Sequence, residues 1–116
     1  MQLNHIDLPV SDLDACMDYF SRGFGFEQLA APCPGMAILR GDDGFVLVLN
    51  EVPGVVNYPP GFHIGFLQAS DEAVHAAHER LRLAGFSAPA PAVSYGALAF
   101  YAEAPGGILI EISHRG

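Results

Sequence analysis

"NHIDL", residues 4–8, returns as "FHIGF", residues 62–66. Each is a short run with a histidine and an isoleucine in strand-like alternation, bounded by turn formers. The chain beyond each run repeats as well. After the first, Ser11 and Asp14 resemble a capping box. Leu13, Cys16, Met17, Phe20 and Phe24 then fall at i, i+3, i+4, i+7 and i+11, one face of a helix that stops near Gly23 and Gly25. After the second run, Ser70 and Asp71 offer a helix cap, and Val74, Ala77, Leu81 and Ala84 form a stripe that ends at Gly85. Three strand candidates close each copy. In the first they lie at 26–29, 36–40 and 45–50, the last two around the hairpin signal "GDDG", residues 41–44. In the second they lie near Phe86, at 98–102 and at 108–113.

The sequence is therefore a strand–helix–three-strand unit written twice. His5 matches His63 at an offset of 58, Gly25 matches Gly85 at 60, and Gly44 matches Gly107 at 63. So small a drift is what loop insertions leave in a duplication. The predicted organisation is one α+β domain over residues 1–116, with module one at 1–51, a Pro/Gly-rich linker at 52–60 and module two at 61–116.

Composition narrows the function. About half of the 116 residues are hydrophobic, which suits a folded domain. No apolar run approaches the roughly 20 residues of a membrane span. The first residues carry no basic and apolar signal pattern, and Cys16 and Cys33 form no C-x-x-C or disulfide framework; both point to a reducing cytoplasm. The net charge is −8 and the five cations are all arginine, so nucleic acid and anionic membrane are poor partners. A neutral or cationic small molecule suits the charge better.

The repeat gives the two histidines weight. A lone strand histidine is more often a hydrogen-bonded core or edge residue than a ligand. Here two occupy the same place in two copies of one unit. Glu111 lies four residues after Gly107, where the first copy has Val48 after Gly44. Strand alternation sets Glu111 with Leu109 and Ser113, away from Ile108, Ile110 and Ile112. A carboxylate on an inner strand is costly unless paired or ligated. Two imidazoles and a carboxylate, His5, His63 and Glu111, make the facial triad that holds a divalent metal and leaves positions open.

At this point the chain resembles the vicinal-oxygen-chelate superfamily, which includes glyoxalase I, bleomycin-resistance proteins, extradiol dioxygenases and fosfomycin-resistance thiol transferases. The resemblance spans nearly the whole chain. It rests on "LNHIDLPVSDLDACMDYFSRGFGFE", on "FHIGF", and on "FYAEAPGGILIEI", which is similar to the family's closing Asp-Pro-x-Gly-x-x-x-Glu hairpin with Ala104 in place of the aspartate. It implies two βαβββ modules forming a curved mixed β-sheet, with a metal at His5, His63 and Glu111. It also implies a metal-dependent lyase, isomerase, thiol transferase or dioxygenase whose ion chelates vicinal oxygens of a small substrate. Mn, Fe, Ni, Co and Zn all suit such ligands. Glyoxalase I and related epimerases use a fourth ligand where this chain has Val48, so ordinary glyoxalase I activity is not expected. The thiol transferases grip a phosphonate with cations, and "AVSYGALA", residues 92–99, has none. A metal-free small-molecule or drug-binding module is the competing reading.

Other residues are weaker candidates. Tyr101 resembles a substrate-contacting position of the family; a packed strand aromatic explains it equally. Asp7 shares the face of His5 and could orient substrate or act as a base, or be a plain solvated acid. Asn50 shares the face of Val48. His75 and His78, three apart on the second helix, read as surface histidines, Cys16 as core and Cys33 as loop. A site of this family needs two facing modules, from one chain or two. The eleven residues from Glu51 to Gly61 include three prolines and can span more than about 20 Å when extended. The expectation is a homodimer with shared metal sites, His5 from one subunit and His63 with Glu111 from the other.

Overall fold

The computed structural model describes residues 1–31 and 33–116. The chain divides into two compact units, Met1–Asn57 and Tyr58–Gly116. The first contains β1 (His5–Val10), α1 (Leu13–Phe24), β2 (Glu27–Gln28), β3 (Met36–Arg40) and β4 (Val46–Glu51). The second contains β5 (His63–Leu67), α2 (Asp71–Leu83), β6 (Ala92–Ser94), β7 (Ala97–Glu103) and β8 (Leu109–Arg115). Each forms a four-stranded mixed sheet, in the orders β1-β4-β3-β2 and β5-β8-β7-β6. In both, the first strand runs parallel to the last and the other pairings are antiparallel. The parallel pairing requires a long crossover, which α1 with β2 and β3, and α2 with β6 and β7, supply. Two βαβββ units are the architecture the repeat predicts.

One face of each sheet is the core. In the first unit Leu8, Val10, Ala37, Leu39, Leu47 and Leu49 are buried, as are Cys16, Tyr19 and Phe20 of α1, which packs on β3 and β4. In the second, Phe100, Ala102, Ile110 and Ile112 are buried with Val74 and Leu81 of α2, which packs on β7 and β8. Each buried leucine, isoleucine, valine or phenylalanine contributes about 1.5–3 kcal/mol over its exposed state.

The helix ends explain the recurring Gly-Phe pair. Gly25 takes φ +73° and Gly85 φ +87°, a left-handed turn that glycine enters without strain. The next amide reaches back across it, Phe26 N–H to Phe20 O at 3.1 Å and Phe86 N–H to Leu81 O at 2.9 Å. Phe26 then sets its ring edge-on against Phe20, 5.9 Å between centroids.

Three expectations need correction. The cap of α1 is Asp12, not Ser11: its carboxylate accepts from Ala15 N–H at 3.0 Å, while Ser11 Oγ accepts from Val56 N–H at 2.9 Å and ties the linker down. Phe86 does not begin a strand. Its amide is taken by the helix cap, Pro89 and Pro91 come next, and pairing starts only at Ala92. Finally, His78 is not a surface residue. It is half-buried, its Nε2–H donates to the Ala88 carbonyl at 3.1 Å, and its ring meets Phe100 edge-on at 5.3 Å. Ser70 does cap α2, accepting from Ala73 N–H at 3.1 Å. Among the described residues no helix is long and apolar enough to cross a membrane.

Candidate metal centre

The face of each sheet turned away from its helix carries the candidate site residues. In the second unit the ladder sets Gly65, Glu111 and Tyr101 side by side on β5, β8 and β7. Glu111 is engaged through both carboxylate oxygens. Tyr101 O–H donates to Oε2, and Ser113 Oγ–H donates to Oε1 at 3.3 Å. The tyrosine loses acidity, since the bond to Glu111, helped by partial burial and the carboxylate's charge, raises the phenol above its ordinary value. Gly65 lies beside the carboxylate, and a Cβ there would make ordinary van der Waals contact at 3.6 Å from Oε1.

His63 stands two residues before Gly65 on β5, on the same face. Its Nδ1–H donates to Gly61 O at 2.8 Å. Its Nε2 lies 3.8 Å from Glu111 Oε2, and its ring meets Tyr101 edge-on at 5.8 Å. Two donors bonded to one ion at about 2.1 Å each stand no more than about 4.2 Å apart. His63 and Glu111 meet that limit, and their side chains are 43% and 27% exposed, open enough for an ion to enter. The donor set, a bare imidazole nitrogen and a carboxylate, therefore fits a divalent cation. Among the described residues, no three His, Cys, Asp or Glu side chains form a metal-holding group.

In the first unit the matching positions are Asp7, Val48 and Ile38, side by side on β1, β4 and β3. The register thus sets Val48 on its own ladder where Glu111 stands on the other. Asp7 accepts from Asn50 Nδ2–H at 2.6 Å, so Asn50 steadies the acid. His5 is exposed at the start of β1, and its Nδ1–H donates to Asn4 Oδ1 at 2.8 Å. Sequence reasoning did not single out Ser113, Gly61 or Asn4. Glycine and serine beside a candidate ligand carry no signal until the register shows what they touch. His75 is exposed on α2 and His78 faces β7, so neither shares this face. A depression of about 430 Å³ lies elsewhere, around Glu27, Arg40, Asp42 and Asp43 at the β3–β4 hairpin, and holds no imidazole.

Comparison with known proteins gives this architecture its family. The model of the Glyoxalase/Bleomycin resistance protein/Dioxygenase superfamily matches residues 2–112, and the chain belongs to that superfamily. It is similar to the structure of a possible glyoxalase from Bacillus cereus, with 37% identity over 97% of each chain and a TM-score of 0.82. A glyoxalase-related enzyme from Fulvimarina pelagi is 27% identical over 98% of this chain and 88% of its own, with a TM-score of 0.77. The genomically encoded fosfomycin resistance protein FosX from Listeria monocytogenes, at 19% identity over 100% of this chain and 94% of its own, shares the fold with a TM-score of 0.81. A comparison with curated proteins found no match.

Proposed function

We propose that the protein is a metal-dependent enzyme acting on a small molecule, with His5, His63 and Glu111 as ligands of one divalent ion. The observation that carries this reading is the facing pair in the second unit, His63 Nε2 and Glu111 Oε2 at 3.8 Å, with the other ring nitrogen already tied back to Gly61. A bound Mn, Fe, Ni, Co or Zn ion would act as a Lewis acid toward vicinal oxygens of the substrate. The chain's own groups do the rest. Tyr101 and Ser113 hold the carboxylate of Glu111 in one orientation. Tyr101 also stands over the face beside His63, 45% exposed, where it meets whatever binds there. Asp7, steadied by Asn50, is the carboxylate able to take a proton from a substrate carbon or water.

The third ligand comes from the first module of a second copy, in an isologous homodimer with shared sites. The stiff, proline-bearing connection favours this, and its start is fastened to the first unit through Val52 N–H to Val10 O at 2.9 Å and Val56 N–H to Ser11 Oγ at 2.9 Å. A phosphonate substrate is disfavoured by the absence of cations in 92–99. Metal analysis of protein purified without chelators tests the reading, with one ion per site in the wild type and loss in Glu111→Gln. Mixing His5→Ala with Glu111→Ala under subunit exchange tests the sharing, because half the heterodimer's sites then carry neither lesion and metal binding partly returns. Protein that neither retains nor takes up a divalent ion would instead be a metal-free binding module, and the net charge of −8 would direct it to cationic ligands.

A further inference from the structure

The two histidines are oriented by local partners, and the partners differ. A backbone carbonyl only accepts, so the 2.8 Å contact to Gly61 O requires the proton of His63 to sit on Nδ1. A neutral imidazole has a single N–H, which leaves Nε2 with its lone pair. Glu111 does not pull that proton across, because 3.8 Å is too long for a hydrogen bond.

The carbonyl is there because of the sequence "PPGF". Pro59 to Phe62 form a turn closed by Phe62 N–H to Pro59 O at 3.1 Å, with Gly61 third at φ +84°. Proline second and a left-handed glycine third are the marks of a type II turn. A Cβ on Gly61 would meet nothing within 4 Å, so the demand for glycine is conformational and not a matter of space. In the first unit the residue before the histidine is Asn4 where the second has Phe62. Asparagine supplies the acceptor from its side chain, Oδ1 at 2.8 Å from His5 Nδ1. Phenylalanine cannot, and the turn carbonyl does so instead.

We propose that Asn4 and Gly61 are positioning residues that lock His5 and His63 in one tautomer, with the proton on Nδ1 and the lone pair on Nε2. The inference rests on the metal reading for its use, since a bare Nε2 is what a cation bonds, but the tautomer belongs to the metal-free protein and is measured there.

The test is a long-range ¹H–¹⁵N spectrum of ¹⁵N-labelled, metal-free protein at a pH where both rings are neutral. Both histidines should carry the proton on Nδ1. Asn4→Ala should send His5 alone into a tautomer mixture, and Asn4→Asp, which keeps an acceptor, should not. Gly61→Ala should do the same to His63 alone, and Gly61→Asn, which tolerates the left-handed region, should keep the lock. Zinc affinity, titrated in parallel, should fall by about 10- to 100-fold in the two alanine variants. Wild-type rings with the proton on Nε2 or in exchange, or an Asn4→Ala variant with His5 unchanged, would overturn the proposal. Those two measurements decide it even if Gly61→Ala fails to fold. Locked rings in a protein that binds no zinc would sink the metal reading and leave the tautomer lock standing. Zinc bound by unlocked rings would do the reverse.

Discussion

At one rung of the two ladders the units carry opposite chemistry. Asp7, Val48 and Ile38 lie side by side in the first, and Gly65, Glu111 and Tyr101 in the second. The backbone register around the rungs is the same: His5 pairs with Val46 and His63 with Leu109, each two residues earlier. A duplicated scaffold thus holds its strands in common while one row of side chains diverges. The second rung also gives its carboxylate different neighbours from those of Val48. Glu111 has Gly65 on one side, where an added Cβ would make only ordinary contact, and the Tyr101 hydroxyl on the other. Asp7, at the place of Gly65, would repel a carboxylate at position 48.

The largest expected effect tests whether the shared half of the comparison holds. Leu49 and Ile112 occupy matching core positions, each fully buried. Truncating either to alanine should cost about 2–5 kcal/mol in urea or thermal unfolding. A large cost in one unit and none in the other would break the equivalence of the two cores.

The next effect concerns the divergent rung. Glu111→Gln should weaken zinc binding by more than the roughly 100-fold that accompanies loss of a ligand's supporting partner, with the circular dichroism spectrum and unfolding midpoint unchanged. Unaltered affinity would remove Glu111 from the ligand set. A smaller gain should come from writing the second rung into the first. Val48→Glu with Asp7→Gly supplies a carboxylate and clears its neighbour, and should tighten zinc binding about tenfold, worth about 1.4 kcal/mol. The wild type should turn over methylglyoxal with glutathione weakly or not at all. Robust turnover would show that Val48 is not where the fourth ligand is missing.

The smallest effect separates the two cysteines. Cys16 is buried on the core face of α1, and burial, with Asp12 nearby, pushes its thiol to about 11 from an ordinary 9.0. A thiol reagent at mild pH should label exposed Cys33 and spare Cys16 until the protein unfolds. The raised value also sets a sign. The unfolded thiol loses its proton near 9 while the folded one keeps it toward 11, so stability falls as pH climbs through that window. Equal labelling of both cysteines in the native protein would contradict the burial.

Much of this is legible because periodicity and spacing are local. The apolar stripe of α1, the "GDDG" hairpin and the alternation around Glu111 each read directly off neighbouring residues. Misreading arises where the partner is distant in sequence. Ser11 and Asp12 are both good caps, and only the packing of the linker decides that Ser11 bonds Val56. His78 sits on the helix edge that meets Phe100, a neighbour that no helical count supplies. The repeat picks out His5, His63 and Glu111 as a set, but what Gly61, Gly65 and Ser113 do for them depends on turn geometry and register.

The parallel pairing of first strand with last has a consequence for how the chain comes to fold. Each unit's sheet gains its inner strand, β4 or β8, from the final stretch of its own segment, so no unit can close until that stretch has joined. The loop closed in each case runs to about 35–40 residues, and pairings so remote in sequence form slowly. Glu111 rides on β8, the last strand in sequence. The β7–β8 hairpin is local and should form first, so the pair that would bind an ion is completed when β5 joins β8, the same remote pairing that completes the second unit. An ion able to bridge that pair would add its binding energy to this late step. Closure of the second unit is then a step that metal should steer.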